Sequence, residues 1–225
     1  LTFRPELVSD IFRTPAAREQ SPDLVGLAEQ SGCELTVASD GVIEQMADTV
    51  TPQGVVAVAR FLDVTLDAVL AASSTHLVVL HEVKDPGNVG NIIRTADAAG
   101  VDAVIVTADS VDVFNPKVVR ATTGSIFHIP VVMGVELAAT IKSLKGAGVT
   151  IFAADAEGTS LGQVRSEGGL SAPLAWLLGN EAHGLSPEDE LLADRTVSVP
   201  MFGQAESLSL QTAAAICIYE AAFAK

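Results

Sequence analysis

The stretch LVVLHEVKDPGNVGNIIRTADAAGVDAVIVTA, residues 77–108, decides the fold class. It reads as an apolar strand, a tight turn shaped by Pro86 and Gly87, a helix opening at Asn88 as its natural N-cap, and a second apolar strand. Gly90 in that helix permits close backbone approach. Strand–helix–strand of this length predicts a parallel crossover unit.

The same alternation continues outward from this unit. Helix PKVVRATTG (116–124), strand IPVVM (129–133), helix ELAATIKSLKGAG (136–148), strands VTIFAAD (149–155), LAWLLG (174–179) and TVSVP (196–200), and a long helix SLSLQTAAAICIYEAAFA (207–224) follow. Repeated units of this kind predict an α/β fold with a mostly parallel sheet flanked by helices on both faces. Ligands are then expected at the carboxyl ends of the strands. Upstream, residues 1–61 show shorter βα alternation and are expected to form a smaller α/β module, with 62–75 as a helical linker and 76–225 as the larger domain. The chain opens on Leu1 within an element, so an N-terminal piece is expected to be missing.

Composition narrows the function classes. With 225 residues, 48% of them hydrophobic, the chain can build a sizeable core. No apolar run approaches the roughly 18 residues of a spanning helix, and the charged N-terminal residues do not suit a signal peptide. A cytoplasmic protein with no membrane partner is expected. Cys33 and Cys217 have no CxxC neighbour and the histidines are scattered, so neither a disulfide framework nor a metal is expected. The net charge of −15 opposes nucleic-acid binding by composition alone. Local convergence of Arg94, Lys117 and Arg120 is the way around that objection.

No G-x-G-x-x-G opens a helix and no G-x-x-x-x-G-K-[ST] occurs, so dinucleotide and P-loop readings lose their main support. Gly158-Thr159-Ser160-Leu161-Gly162 matches the nucleophile-elbow pattern of hydrolases. It is set aside because Ala156-Glu157-Gly158 is expected to part Ser160 from its strand and because the acids follow His183 in the wrong order.

Three segments fall at predicted strand ends. Asp85-Pro86-Gly87-Asn88-Val89-Gly90-Asn91-Ile92-Ile93-Arg94 alone reads as a capped helix with a solvated arginine. Leu177-Leu178-Gly179-Asn180-Glu181-Ala182-His183-Gly184-Leu185 is a glycine-flanked loop whose backbone can cradle an adenosyl group, with Glu181 placed for a sulfonium or an arginine. Val199-Pro200-Met201-Phe202-Gly203-Gln204-Ala205-Glu206-Ser207-Leu208-Ser209-Leu210 runs into the last helix, which Ser207 is expected to cap.

In this order the three segments resemble the signature motifs of the SpoU (TrmH-like) branch of SPOUT RNA methyltransferases. Val119-Arg120-Ala121-Thr122-Thr123-Gly124-Ser125-Ile126-Phe127 is similar to the family's arginine-to-glycine stretch. Residues 48–58, DTVTPQGVVAV, resemble the end of the L30-like RNA substrate-binding domain that precedes many members. The resemblance implies a deep trefoil knot over roughly 174–215, a homodimer through the knotted domain, and S-adenosylmethionine as cofactor. It implies a cofactor site of Leu178, Gly179, Asn180, Glu181, Gly184, Val199, Met201 and Leu208. The implied catalytic residues are Arg94, Asn88, Glu181, Ser207 and Ser209, and the implied RNA contacts are Arg94, Lys117 and Arg120. The implied reaction is 2′-O-methylation of a ribose in structured RNA, ribosomal RNA ahead of tRNA because of the L30-like module. One departure stands out: the family commonly shows Ser-Leu-Asn where this chain has Ser207-Leu208-Ser209. A serine cannot offer the paired donor and acceptor of an amide. The alternative is a knotted RNA-binding or ribosome-assembly protein with weakened chemistry.

Overall fold

The structure, a computed structural model, describes residues 2–20, 22–47, 49, 51–171 and 173–224. Asp48 and Val50 of the L30-like stretch lie outside the described residues. The chain divides into two compact units, Leu1–Leu62 and Asp63–Lys225.

The first unit runs β1 (Val8–Arg13), α1 (Ala17–Gln20), α2 (Pro22–Ser31), β2 (Glu34–Val37), α3 (Asp40–Met46) and β3 (Val55–Ala59). Its sheet has the order β2-β1-β3, with β2 parallel and β3 antiparallel to the central strand. Ile11 and Ile43 are its most deeply buried large side chains.

The second unit runs α4 (Leu66–Ala71), β4 (His76–Leu80), α5 (Pro86–Ala98), β5 (Ala103–Thr107), α6 (Pro116–Ala121), β6 (Val131–Val135), α7 (Leu137–Gly146), β7 (Thr150–Ser160), α8 (Leu161–Ser166), β8 (Leu174–Leu178), α9 (Pro187–Glu190), β9 (Arg195–Ser198) and α10 (Leu210–Ala222). Its six strands are all parallel, in the order β6-β5-β4-β8-β7-β9. The α/β reading from sequence agrees with this sheet. Every residue of β4, β5 and β8 is buried, which is why those strands appear in the sequence as unbroken apolar runs. On one face Leu77, Val79, Ile105, Ala175 and Leu177 form a core with Leu137, Ile141 and Leu144 of α7, and Val69 of α4 joins it. Burying side chains of this size stabilises by about 1.5–3 kcal/mol each.

Two sequence expectations about helix starts change. Asp85, not Asn88, caps α5: its carboxylate accepts the Asn88 N–H at 2.8 Å, with Pro86 in the first turn. Asn88 thus has its side chain free for another contact. Ser209, not Ser207, occupies the N-cap of α10, without a side-chain capping bond. Its hydroxyl instead lies 2.8 Å from Thr212 Oγ1.

A third expectation fails at β7. The strand does not stop before Ser160 but pairs with β9 on both sides of an irregularity between Ala154 and Thr159. Ser160 is therefore the last strand residue and leads straight into α8. Gly158 has a packing reason, because a Cβ there would lie 2.5 Å from the Thr196–Val197 backbone. The hydrolase reading gains nothing from this, since His183, the one histidine downstream of Ser160, precedes Asp189 and Asp194 in the chain.

Candidate active site

Strand order decides which loops meet. Because β8 lies beside β4, with His76 opposite Leu174 and Leu80 opposite Leu178, the chain leaving β8 runs next to the chain leaving β4. The two exits are hydrogen bonded: the His81 N–H donates to the Leu178 carbonyl at 2.9 Å, and Asn180 Nδ2 donates to the Glu82 carbonyl at 2.9 Å. Glu82 has φ of +54°, a left-handed conformation that costs a non-glycine residue of order 1 kcal/mol or more. The Asn180 amide stabilises that kink.

The loop after β8 is a tight one. Asn180 and Gly184 exchange both backbone hydrogen bonds at 3.0 Å, and Asn180 Oδ1 accepts the Ala182 N–H at 2.8 Å. Gly179 is obligatory here, since a Cβ would sit 2.5 Å from the Gly184 carbonyl carbon. Gly184 itself has φ of +69°. The two glycines that suggested a cradle thus make the turn close on itself.

Glu181 projects from this loop onto the segment before α5. Its carboxylate accepts the Asp85 N–H at 2.9 Å, the Lys84 N–H at 3.3 Å and Asn88 Nδ2 at 3.2 Å. Partial burial pushes the Glu181 carboxyl up, but the Asp85 N–H, its own N–H, the Asn88 amide and the Lys84 N–H outweigh that and hold it below the usual range. Its hydrogen-bonding partners are two backbone N–H groups and one amide, none of them an arginine. Glu181 and Asn88 are brought together, 93 residues apart in the chain.

Beside this clamp a cavity of about 390 Å³ opens at the carboxyl ends of β7, β8 and β9. Of the expected cofactor residues, Leu178, Asn180, Glu181, Gly184, Val199, Met201 and Leu208 line it, as does Ser207. Gly179 is behind the wall, where it sets the turn. Reading the sequence alone missed Asp155, Glu206, Leu210 and Ala213, which also line the cavity. Asp155 was legible as the polar residue ending an apolar strand run. Leu210 and Ala213 looked like ordinary helix positions.

Arg94, Asn88, Ser209, Lys117 and Arg120 do not line this cavity. Arg94 lies in a separate shallow groove between α5 and α10, with Asn91, Thr95, Ala98, Gln211, Thr212, Ala215 and Tyr219. Its neighbours on α5 follow helical spacing, 91, 94, 95 and 98, and so share one face. Among the described residues its guanidinium has no hydrogen-bond or ion-pair partner. Lys117 and Arg120 are exposed on α6, which packs against α5 so closely that a Cβ on Gly90 would lie 2.4 Å from Ala121 Cβ. Three cations therefore stand on two touching helices.

The cavity suits an adenosyl sulfonium compound. Its size falls within the usual range of small-molecule sites, about 300–1,000 Å³. Leu178, Val197, Val199, Leu208 and Leu210 offer an apolar wall for a purine, and Asp155, Glu181 and Glu206 give the lining three carboxylates.

Residues 75–219 match the SpoU rRNA Methylase family, and residues 1–64 match the family described as RNA 2′-O ribose methyltransferase substrate binding. The chain is 36% identical over 192 residues to the 23S rRNA (guanosine(2553)-2′-O)-methyltransferase RlmP of Bacillus subtilis, covering 84% of this chain and 73% of that protein. It is 33% identical over 226 residues to the 23S rRNA (guanosine-2′-O-)-methyltransferase RlmB of Bordetella pertussis, covering 98% of this chain and 91% of the relative. In three dimensions it is similar to the SpoU methyltransferase AviRb of Streptomyces viridochromogenes, solved with AdoMet, with a TM-score of 0.82 and 28% identity. That match covers 99% of this chain and 86% of AviRb.

Proposed function

The chain belongs to the SpoU rRNA methylase family, and from that premise we propose that it methylates a ribose 2′-hydroxyl of RNA with S-adenosylmethionine as donor. The observation that carries the reading is the β8–β4 junction, where the Glu181 clamp joins the first and second motifs beside a cavity fit for the cofactor. Relatives named as methyltransferases favour the enzyme over an RNA-binding protein that has lost the chemistry.

When bound, S-adenosylmethionine supplies a methyl group on a positively charged sulfur. Leu178, Val199, Met201 and Leu208 would hold its adenosyl part, with Asn180 and Gly184 fixing the loop around it. Asp155, Glu181 and Glu206 set a negative potential that favours a cation. Methyl transfer forms an oxygen–carbon bond, breaks a sulfur–carbon bond to leave a neutral thioether, and releases the hydroxyl proton to solvent water. Alignment of the three centres can contribute up to ~7–11 kcal/mol. Arg94 would orient the hydroxyl and stabilise its developing negative charge; a guanidinium is effectively never deprotonated, so it is not the base. Asn88 positions the turn that begins α5, and Ser207 and Ser209 lie where the third segment enters α10.

Ribosomal RNA is the proposed substrate, supported by the substrate-binding match over residues 1–64 and by relatives acting on 23S rRNA. We place the division at a substrate-binding module of 1–61, a connecting segment 62–75 and a catalytic domain 76–225, in the cytoplasm with its RNA. The proposed chain path includes a trefoil knot through 174–215, supported by β8 and β9 flanking β7 in the sheet. A homodimer is proposed through the exposed Tyr219 and Phe223 at the end of α10, whose rings lie 5.7 Å apart. Incubation of the protein with labelled methyl donor and unmodified ribosomal RNA tests the activity. Label at a nuclease-resistant 2′-O-methyl linkage is expected; no label in ribosomal RNA or tRNA overturns it.

A further inference from the structure

The third motif of this chain lacks an amide at position 209, and Ser209 spends its hydroxyl on Thr212 at 2.8 Å. Two residues on, Gln211 carries an amide into the groove of Arg94. Its Oε1 accepts Asn91 Nδ2 at 2.6 Å across the α5–α10 seam. Asn91 is three residues before Arg94 and so shares its helix face. The pair is half-buried, yet among the described residues it leaves unspent both side-chain N–H donors of Gln211, one side-chain N–H of Asn91 and Asn91 Oδ1. Arg94 beside it has no partner among the described residues. An amide pair and an unpaired guanidinium lining one groove offer several hydrogen-bond donors, the groups that grip a phosphate or ribose oxygen.

We propose that Gln211 supplies the carboxamide missing at Ser209, and that with Asn91 and Arg94 it holds the sugar–phosphate backbone of the acceptor nucleotide. The proposal rests on the methyltransferase reading for its substrate. It makes Gln211 a substrate-positioning residue on the side of α10 away from the cofactor cavity, which Leu210 and Ala213 line instead.

The test uses two single variants and one double variant of the protein, with unmodified large-subunit ribosomal RNA transcribed in vitro. Gln211→Glu keeps an acceptor for the Asn91 N–H and keeps the packing, but it removes both spare donors and adds a negative charge. Gln211→Leu removes the polar group altogether. Both are expected to lower RNA affinity at least threefold and methyl transfer at least tenfold, with calorimetric affinity for S-adenosylmethionine within twofold. Gln211→Glu is expected to be the worse of the two at low salt; a purely structural role predicts the opposite order. Adding Ser209→Asn to Gln211→Leu is expected to recover part of the transfer rate. Transfer and RNA affinity within twofold of the unaltered protein in Gln211→Glu overturn the inference while leaving the enzyme reading intact. RNA affinity that depends on Gln211 in a protein that transfers no methyl supports the groove and overturns the enzyme reading.

Discussion

The two sides of the α10 N-terminus differ in charge chemistry. The cavity on one side has three carboxylates, Asp155, Glu181 and Glu206, and no cationic side chain among its described lining residues. The groove on the other has Arg94, amides and hydroxyls, and no carboxylate among its described lining residues. Leu210 and Ala213 face the first, Gln211, Thr212 and Ala215 the second. One helix thus parts a carboxylate-lined cavity from a groove whose one charged described residue is an arginine. A net charge of −15 is no obstacle to an RNA enzyme when its acids and bases are sorted in this way.

The largest effect should come from Arg94→Ala. Removal of one preorganised donor to a developing oxyanion costs about 10²–10³-fold in rate, and transfer by this variant is expected to fall by that much. Calorimetry should find cofactor affinity unchanged; a matching loss of affinity breaks the separation of groove and cavity. Gly179→Ala attacks the other side, forcing the turn open against the Gly184 backbone. Overpacking of this kind costs about 1–3 kcal/mol, so a lower melting temperature and a loss of cofactor binding are expected, read by thermal denaturation with and without ligand.

A smaller effect is expected from Glu181→Gln, which keeps the shape of the clamp but removes its charge. Loss of a charge-assisted set of hydrogen bonds predicts a fall in cofactor affinity of about fivefold. The sign with pH follows from the depressed Glu181 carboxyl: its stabilisation is present above the unfolded value near 4.5 and fades as pH falls through the lower folded value. Acid titration of stability should show a shallower slope below pH 4.5 in Glu181→Gln than in the unaltered protein. An identical slope removes Glu181 from the clamp. Smallest of all, Lys117→Gln and Arg120→Gln should each lower the salt slope of RNA binding by about one. Cofactor binding should not respond to them.

The comparison also separates what was legible in the sequence from what was not. Apolar runs and the rule for parallel sheets say only that a ligand meets the strand ends; Leu178 and Val199 were singled out by the resemblance, and they line the cavity. Caps were less legible: Asp85 and Asn88 are both good N-cap types, and only the Asp85 hydrogen bond to the Asn88 N–H decides between them. Gly90 was legible as a point of close backbone approach and Gly158 only as part of a hydrolase-like pattern; that α6 and β9 are what pack there is decided by the fold. Gln211 gave no signal, because one polar residue in an Ala-rich helix is ordinary.

By itself the sequence determined the order of strands and helices, the parallel class and the family, because apolar period and motif order are local properties of the chain. Only the tertiary structure decided that β8 lies beside β4. That neighbourhood brings Glu181 to Asp85 across 96 residues, and no local pattern encodes a pairing between strands so far apart. The split of α10 into a cofactor face and an Arg94 face has the same origin. Helical periodicity says which residues share a side, and packing against α5 decides what that side meets.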